Sequence, residues 1–219
     1  MAYILTKHDL AYFPVPKIAC TSLKSYFYEI EHGVPFASYS DDAGRVIYIH
    51  DKIISTSFFI EAQVERLAAC RRIAVIRDPI ERFISAYANR VVSFKELSAT
   101  ALDTPRGREL ALTPTPSFAH FVERLEDYRL ASPSIRHHTD PATVFLGPDL
   151  GYFHKIYKIS EIGQLHADVC AITGTHYAMP HEQKAGVGFT PPGPAHECWH
   201  KLRDFYAGDY ALMQGYYSV

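Results

Sequence analysis

Short apolar runs alternate along this chain with stretches in which apolar residues recur every three or four positions. The short runs are Leu10 to Phe13, Val46 to Ile49, Ile73 to Ile76, Thr143 to Leu146 and Ile156 to Ile159, and each reads as a strand. After the first run, Leu23, Tyr26, Phe27 and Ile30 fall on one helical face, and Gly33 stands where that helix would stop. The spacing predicts a helix that begins at about Cys20 to Ser22. After the third run, Asp78 is a good N-cap, Pro79 suits the first helical position, and Glu81 sits where a capping-box carboxylate belongs. Ile80, Phe83, Ile84, Tyr87 and Val91 then form a buried stripe.

This alternation predicts an α/β fold, a mainly parallel sheet covered by helices on both faces. Pro14 and Pro16 end the first strand early, because proline cannot donate to a ladder. Two stretches read as mobile loops of the kind that close over substrates. They are Ser98 to Ser117, with its Thr-Pro repeats, and Pro180 to Pro194, with three prolines after Gly186 and Gly188.

At 219 residues and 47% apolar content, the chain can bury a good core as a single domain spanning 1–219. No run approaches the eighteen or so apolar residues of a membrane span, and MAYILTKHDLAYF lacks a signal-peptide core. A cytoplasmic protein is the expectation. Cys20, Cys70, Cys170 and Cys198 are scattered without zinc-knuckle spacing, which predicts reduced, unpaired thiols. Twenty-two Lys and Arg against 24 Asp and Glu give a net charge of −2, which argues against nucleic acid or any extended polyanion as partner. Positive charge is local instead. Arg71, Arg72, Arg77, Arg82 and Arg90 cluster against only Asp78 and Glu81, although a solvated helix face accounts equally well for Arg82 and Arg90.

Candidate chemistry starts at Pro16 to Lys24, PKIACTSLK, between the first strand and the first helix. First-turn N–H groups lack intrahelical partners and carry the positive end of the dipole, and Lys17, Thr21 and Ser22 add charge and donors. The segment is an anion cradle. It lacks the glycines of GxxxxGK[ST], and its lysine precedes the turn, so an ATPase or GTPase is disfavoured. Cys20 in this loop is either a small residue suited to a tight turn or a thiol activated by the helix N-terminus. In parallel sheets ligands bind beyond the carboxyl ends of strands, where Lys17, His50 and Arg77 all fall. His50 titrates near neutral pH and is the candidate base.

PK-x-x-x-TS at Pro16 to Ser22 resembles the 5′-phosphosulfate loop of sulfotransferases that use 3′-phosphoadenosine 5′-phosphosulfate (PAPS). RDPIERFISAY, Arg77 to Tyr87, resembles their 3′-phosphate motif with its eight-residue step from Arg to Ser. Together the two motifs resemble the carbohydrate branch that contains the heparan sulfate 2-O- and chondroitin sulfotransferases, as a bacterial-type soluble member. The likeness is specific over residues 10 to 92 and fainter in FHKIYKISEI and FYAGDYALMQGYY.

The resemblance implies a P-loop-NTPase-like three-layer fold with a mainly parallel central sheet flanked by helices. It implies that Lys17, Ala19, Cys20, Thr21, Ser22 and Leu23 hold the 5′ end of PAPS, and that Arg77 and Ser85 hold the 3′-phosphate. YIHDKIISTSFF is similar to the segment in which the 2-O-transferases carry a histidine base, which assigns that role to His50. Lys184 could reach the cofactor or be solvated. His137 and His138 could line the acceptor pocket or sit in a surface loop. No metal enters this scheme, its product is 3′,5′-ADP, and its acceptor is a glycan or small hydroxylated metabolite.

Two other functions remain in view. His196-Glu197-Cys198-Trp199-His200 matches HExxH on an expected helix, where two histidines one turn apart could bind zinc. The family instead has an ordinary helix there, with Trp199 and Leu202 as core. A non-catalytic nucleotide-binding module would keep Thr21, Arg77 and Ser85 but would need neither Lys17 nor His50. Fifteen tyrosines and thirteen phenylalanines supply sugar platforms or simply core.

Overall fold

The computed structural model describes residues 2–53, 56, 58–59, 67–180 and 189–218. Its strands are β1 Tyr3–Leu5, β2 Leu10–Phe13, β3 Tyr39–Ser40, β4 Val46–Ile47, β5 Arg71–Ile76 and β6 Lys155–Lys158. Its α-helices, in chain order, are α1 Cys20–His32, α2 Ile49–Lys52, α3 Pro79–Ala86, α4 Ala99–Leu102, α5 Pro105–Glu109 and α6 Phe118–Glu123. They continue with α7 Leu125–Ala131, α8 Pro133–Thr139, α9 Thr143–Leu146, α10 Ile162–Thr173, α11 Cys198–Phe205 and α12 Ala207–Leu212. The chain forms two compact units, one from Met1–Arg77 with Ala142–Lys184 and one from Asp78–Pro141 with Ala185–Val219.

The first unit holds a mostly parallel sheet in the order β1-β2-β5-β6, flanked by helices. β2 and β5 run parallel with Phe13 opposite Ala74, and β5 and β6 run parallel with Ile76 opposite Lys158. Both faces of β2 are buried, as an internal parallel strand requires, which is why LAYF reads as an unbroken apolar run. The sequence did not suggest β1. Its three residues turn back antiparallel onto β2 through Thr6 to Asp9, with Asp9 at φ 48°. α1 begins at Cys20 and ends at Gly33, whose φ of 75° and N–H to the Glu29 carbonyl make the left-handed stop that glycine favours.

Two expected strands are corrected. Val46 to Ile49 does not join the central sheet: Val46–Ile47 pairs only with Tyr39–Ser40 in a separate hairpin, and the chain turns helical at Ile49. Thr143 to Leu146 is helix α9, closed by Gly147 at φ 80°. A four-residue apolar run carries too little periodicity to separate the two states.

In the second unit the Asp78 carboxylate caps α3 by accepting from Glu81 N–H at 3.0 Å, with Pro79 at the first position. The helix then widens into a π-helix, Tyr87–Ser93. Phe83, Tyr87 and Val91 enter an aromatic core with Phe118, Phe121, Tyr128, Trp199 and Tyr206.

Arg82 belongs neither to an anion patch nor to a solvated face. It is 1% exposed, donates to the Asp140 carbonyl at 2.5 Å, and lies 3.9 Å from the buried Asp209 carboxylate. The loop expected at Ser98 to Ser117 is helical in its first half, as α4 and α5, and irregular over 110–117, with Leu102 and Leu112 in the core. Its Thr-Pro step is a helix start, in which the Thr104 hydroxyl accepts from Gly107 N–H and Pro105 follows at the first position. Of Pro180 to Pro194, residues 181–188 lie outside the described residues. Among the described residues no helix is long and apolar enough to cross a membrane.

Candidate active site

Parallel pairing of β2 with β5 sends the chain out at the same sheet edge after Phe13 and after Ile76, so the PKIACTS loop and Arg77 share that edge. In the loop Lys17 has φ 67° and Ala19 φ 49°, left-handed values that cost a side-chain-bearing residue about 1–3 kcal/mol each and gather at ligand sites. Ala19 is the N-cap of α1, and its carbonyl accepts from Leu23 N–H at 2.9 Å. A left-handed residue followed by a helical one turns successive N–H groups toward one concavity, an anion nest. No side chain among the described residues caps α1, and its first turn carries no acidic residue.

The loop and first turn thus carry the first-turn amides, the hydroxyl residues Thr21 and Ser22, and Lys17. This donor set is cationic and suits a phosphosulfate. Lys17, Ala19, Cys20 and Thr21 are partly exposed while Ser22 and Leu23 are buried.

His50 reaches this cradle by a different route from the one expected. It sits on α2, not at the end of a central strand, and α2 packs on α1. The Asp51 carboxylate holds the entry to α2 by accepting from Tyr48 N–H at 2.9 Å. His50 Nε2 then lies 3.0 Å from Thr21 Oγ1, and its Nδ1 lies 3.3 Å from Lys24 Nζ.

Lys24 is the residue that sequence reasoning passed over, naming it only as the end of the cradle segment. It is 0% exposed, and burial pulls its pKa below the ordinary lysine value, with Cys20 one turn back opposing the shift. A signal was present: Lys24 falls three residues before Phe27, inside the buried stripe of α1.

Arg77 is half-buried and follows β5 directly. Ser85 belongs to the second unit, half-buried on α3. His137 and His138 also belong to that unit and lie on helix α8 rather than in a loop. His138 Nδ1 donates to the Ser134 carbonyl at 2.7 Å, which leaves Nε2 to accept from Arg90 at 2.6 Å. Arg90 also pairs with Glu96 at 2.9 Å, so it is neither a solvated face nor an open anion site.

Lys184 lies outside the described residues. The HExxH match loses its geometric basis, because α11 begins only at Cys198. His196 precedes the helix and its Nδ1 accepts from Cys198 N–H at 3.2 Å, so only His200 of the pair lies on α11. Trp199 and Leu202 are core, as the family comparison implied.

A mostly parallel α/β sheet with a cradle at a helix N-terminus and a histidine beside it suits the class of proteins that handle anionic groups. Within that class the chain belongs to the sulfotransferase family, whose model matches residues 2–188. No curated protein matches it, and no solved structure does either. The protein is therefore a transferase of sulfuryl groups.

Proposed function

We propose that the protein moves the sulfuryl group of PAPS to a hydroxyl of a carbohydrate or small hydroxylated metabolite, by in-line transfer with His50 as general base. One distance carries this: His50 Nε2 stands 3.0 Å from Thr21 Oγ1, at the mouth of the anion cradle. Lys17, Thr21, Ser22 and the amides from Ala19 to Ser22 would hold the 5′-phosphosulfate, Leu23 N–H being spent on the Ala19 carbonyl, and the RDPxxRxxSxY motif assigns the 3′-phosphate to Arg77 and Ser85. The same two motifs support the carbohydrate branch of the family.

PAPS, the donor substrate, supplies an activated sulfuryl group. His50 Nε2 takes the acceptor's hydroxyl proton while that oxygen bonds to sulfur. The bond from sulfur to the 5′-phosphate oxygen breaks, and 3′,5′-ADP leaves. Lys17 offsets the charge that builds on the departing oxygen. A net charge of −2 favours a neutral acceptor over a heavily sulfated chain or a nucleic acid. Four free cysteines suit a reducing compartment, and we place the enzyme in the cytoplasm.

Transfer of labelled sulfate from PAPS to a glycan and metabolite panel, with mass identification of the product, tests the reading. His50→Ala should keep 3′,5′-ADP affinity within a few-fold while kcat falls roughly 10²–10⁴-fold. Tight binding without turnover on any acceptor would leave a nucleotide-binding module instead.

A further inference from the structure

Lys24 Nζ lies 3.3 Å from His50 Nδ1, on the side of the ring opposite the Nε2 that approaches Thr21. A lysine with no solvent exposure is uncommon unless its amine has work to do in the interior. Here the contact decides which imidazole nitrogen can act. An ammonium at Lys24 can only donate, so it occupies the Nδ1 lone pair and forces the ring's single proton onto Nε2. Both nitrogens are then blocked to an acceptor hydroxyl. A neutral amine has a lone pair, which lets Nδ1 carry the proton and donate it to Nζ, and Nε2 then presents its lone pair toward Thr21.

We propose that Lys24 is the positioning residue that sets the tautomer of His50, so that His50 is a base at Nε2 only while Lys24 is an uncharged amine. The inference rests on the assignment of His50 as base. As the acceptor's proton arrives at Nε2, the Nδ1–H···Nζ bond steadies the imidazolium, the role a carboxylate fills in a catalytic triad.

Several ionisable groups stand around the pair. Burial lowers the lysine's pKa, and Cys20 on the same helix is the neighbour that opposes it. The elements packed on α1 bring His50 with the exposed Asp51 and Lys52 from α2, and Tyr3 from β1. Tyr12 of β2 lies tilted against Phe27, while Cys170 and His166 of α10 meet Tyr26.

The test is ¹⁵N NMR of the His50 ring in the whole protein across a pH series, alongside kcat on the identified acceptor. In the wild type the neutral ring should pass from the Nε2–H to the Nδ1–H tautomer as pH rises through the lysine's titration, and kcat should rise with it. Lys24→Met should abolish that passage and lower kcat at least tenfold with KM for PAPS nearly unchanged. Lys24→Arg, whose guanidinium does not give up its proton, should be at least as impaired.

A wild-type ring that keeps the Nε2–H tautomer throughout, in a protein that turns over, overturns the proposal, and this needs no variant that folds. Full activity in Lys24→Arg also overturns it, by showing that a fixed cation suffices. A tautomer passage in a protein that transfers no sulfate would support the Lys24 role while defeating the functional reading, so the two fail separately.

Discussion

Lys17 is the residue whose replacement separates ground-state from transition-state binding. Its ammonium would meet the 5′-phosphate in the resting complex and the bridging oxygen more strongly as the bond breaks. Lys17→Ala should therefore weaken 3′,5′-ADP by roughly tenfold, about 1.4 kcal/mol, and lower kcat by a further 10²-fold or more. Equal losses in binding and in kcat/KM would mean that the lysine only anchors the donor.

The cradle residues were legible because their chemistry is local. A lysine, two hydroxyls and a helix start lie within nine residues. The contact between His50 and Lys24 was not, since it needs α2 to pack on α1 across 26 positions of sequence. The contact of His138 with Arg90, 48 residues away, was hidden for the same reason.

Elements were legible where their ends carry side-chain chemistry and were misread where they are short. Asp78-Pro79 announced α3 correctly, and the same cap-then-proline logic was present in Thr104-Pro105 but was taken for loop punctuation. Leu102 and Leu112 make that segment scaffold, because their burial fastens α4 and α5 to the aromatic core. Thr104→Ala removes the hydroxyl that accepts from Gly107 N–H at 3.0 Å. It should cost about 1 kcal/mol, a drop of roughly 2–4 °C in Tm, with KM for donor and acceptor unchanged. A changed acceptor KM at unchanged Tm would restore the picture of a substrate-closing loop. The π-helix after α3 left no trace in the sequence, because its apolar spacing over Tyr87 and Val91 is that of an ordinary helix.

For the whole molecule, the decisive balance is a slightly acidic chain that gathers donors and cationic side chains at one sheet edge. A net charge of −2 supplies no general attraction for polyanions, so affinity for a nucleotide must come from particular groups. Arg77 and the cradle at Lys17 to Leu23 divide that work, one assigned to the 3′-phosphate and the other to the 5′ end. A ligand that engages both stabilises the folded chain by mass action, about 2.7 kcal/mol at a hundredfold excess over its Kd. For a chain of this length that corresponds to roughly 5–10 °C in Tm. 3′,5′-ADP should produce that rise, and 5′-AMP at the same concentration should give only a small part of it. Loss of one charged hydrogen bond typically costs about 1.5–3 kcal/mol, so the two affinities should differ by roughly ten- to a hundredfold. Arg77→Ala should bring the two nucleotides together by weakening 3′,5′-ADP alone. Thermal shifts and calorimetry on wild type and variant measure this directly, and equal affinities in the wild type would remove the 3′-phosphate from Arg77.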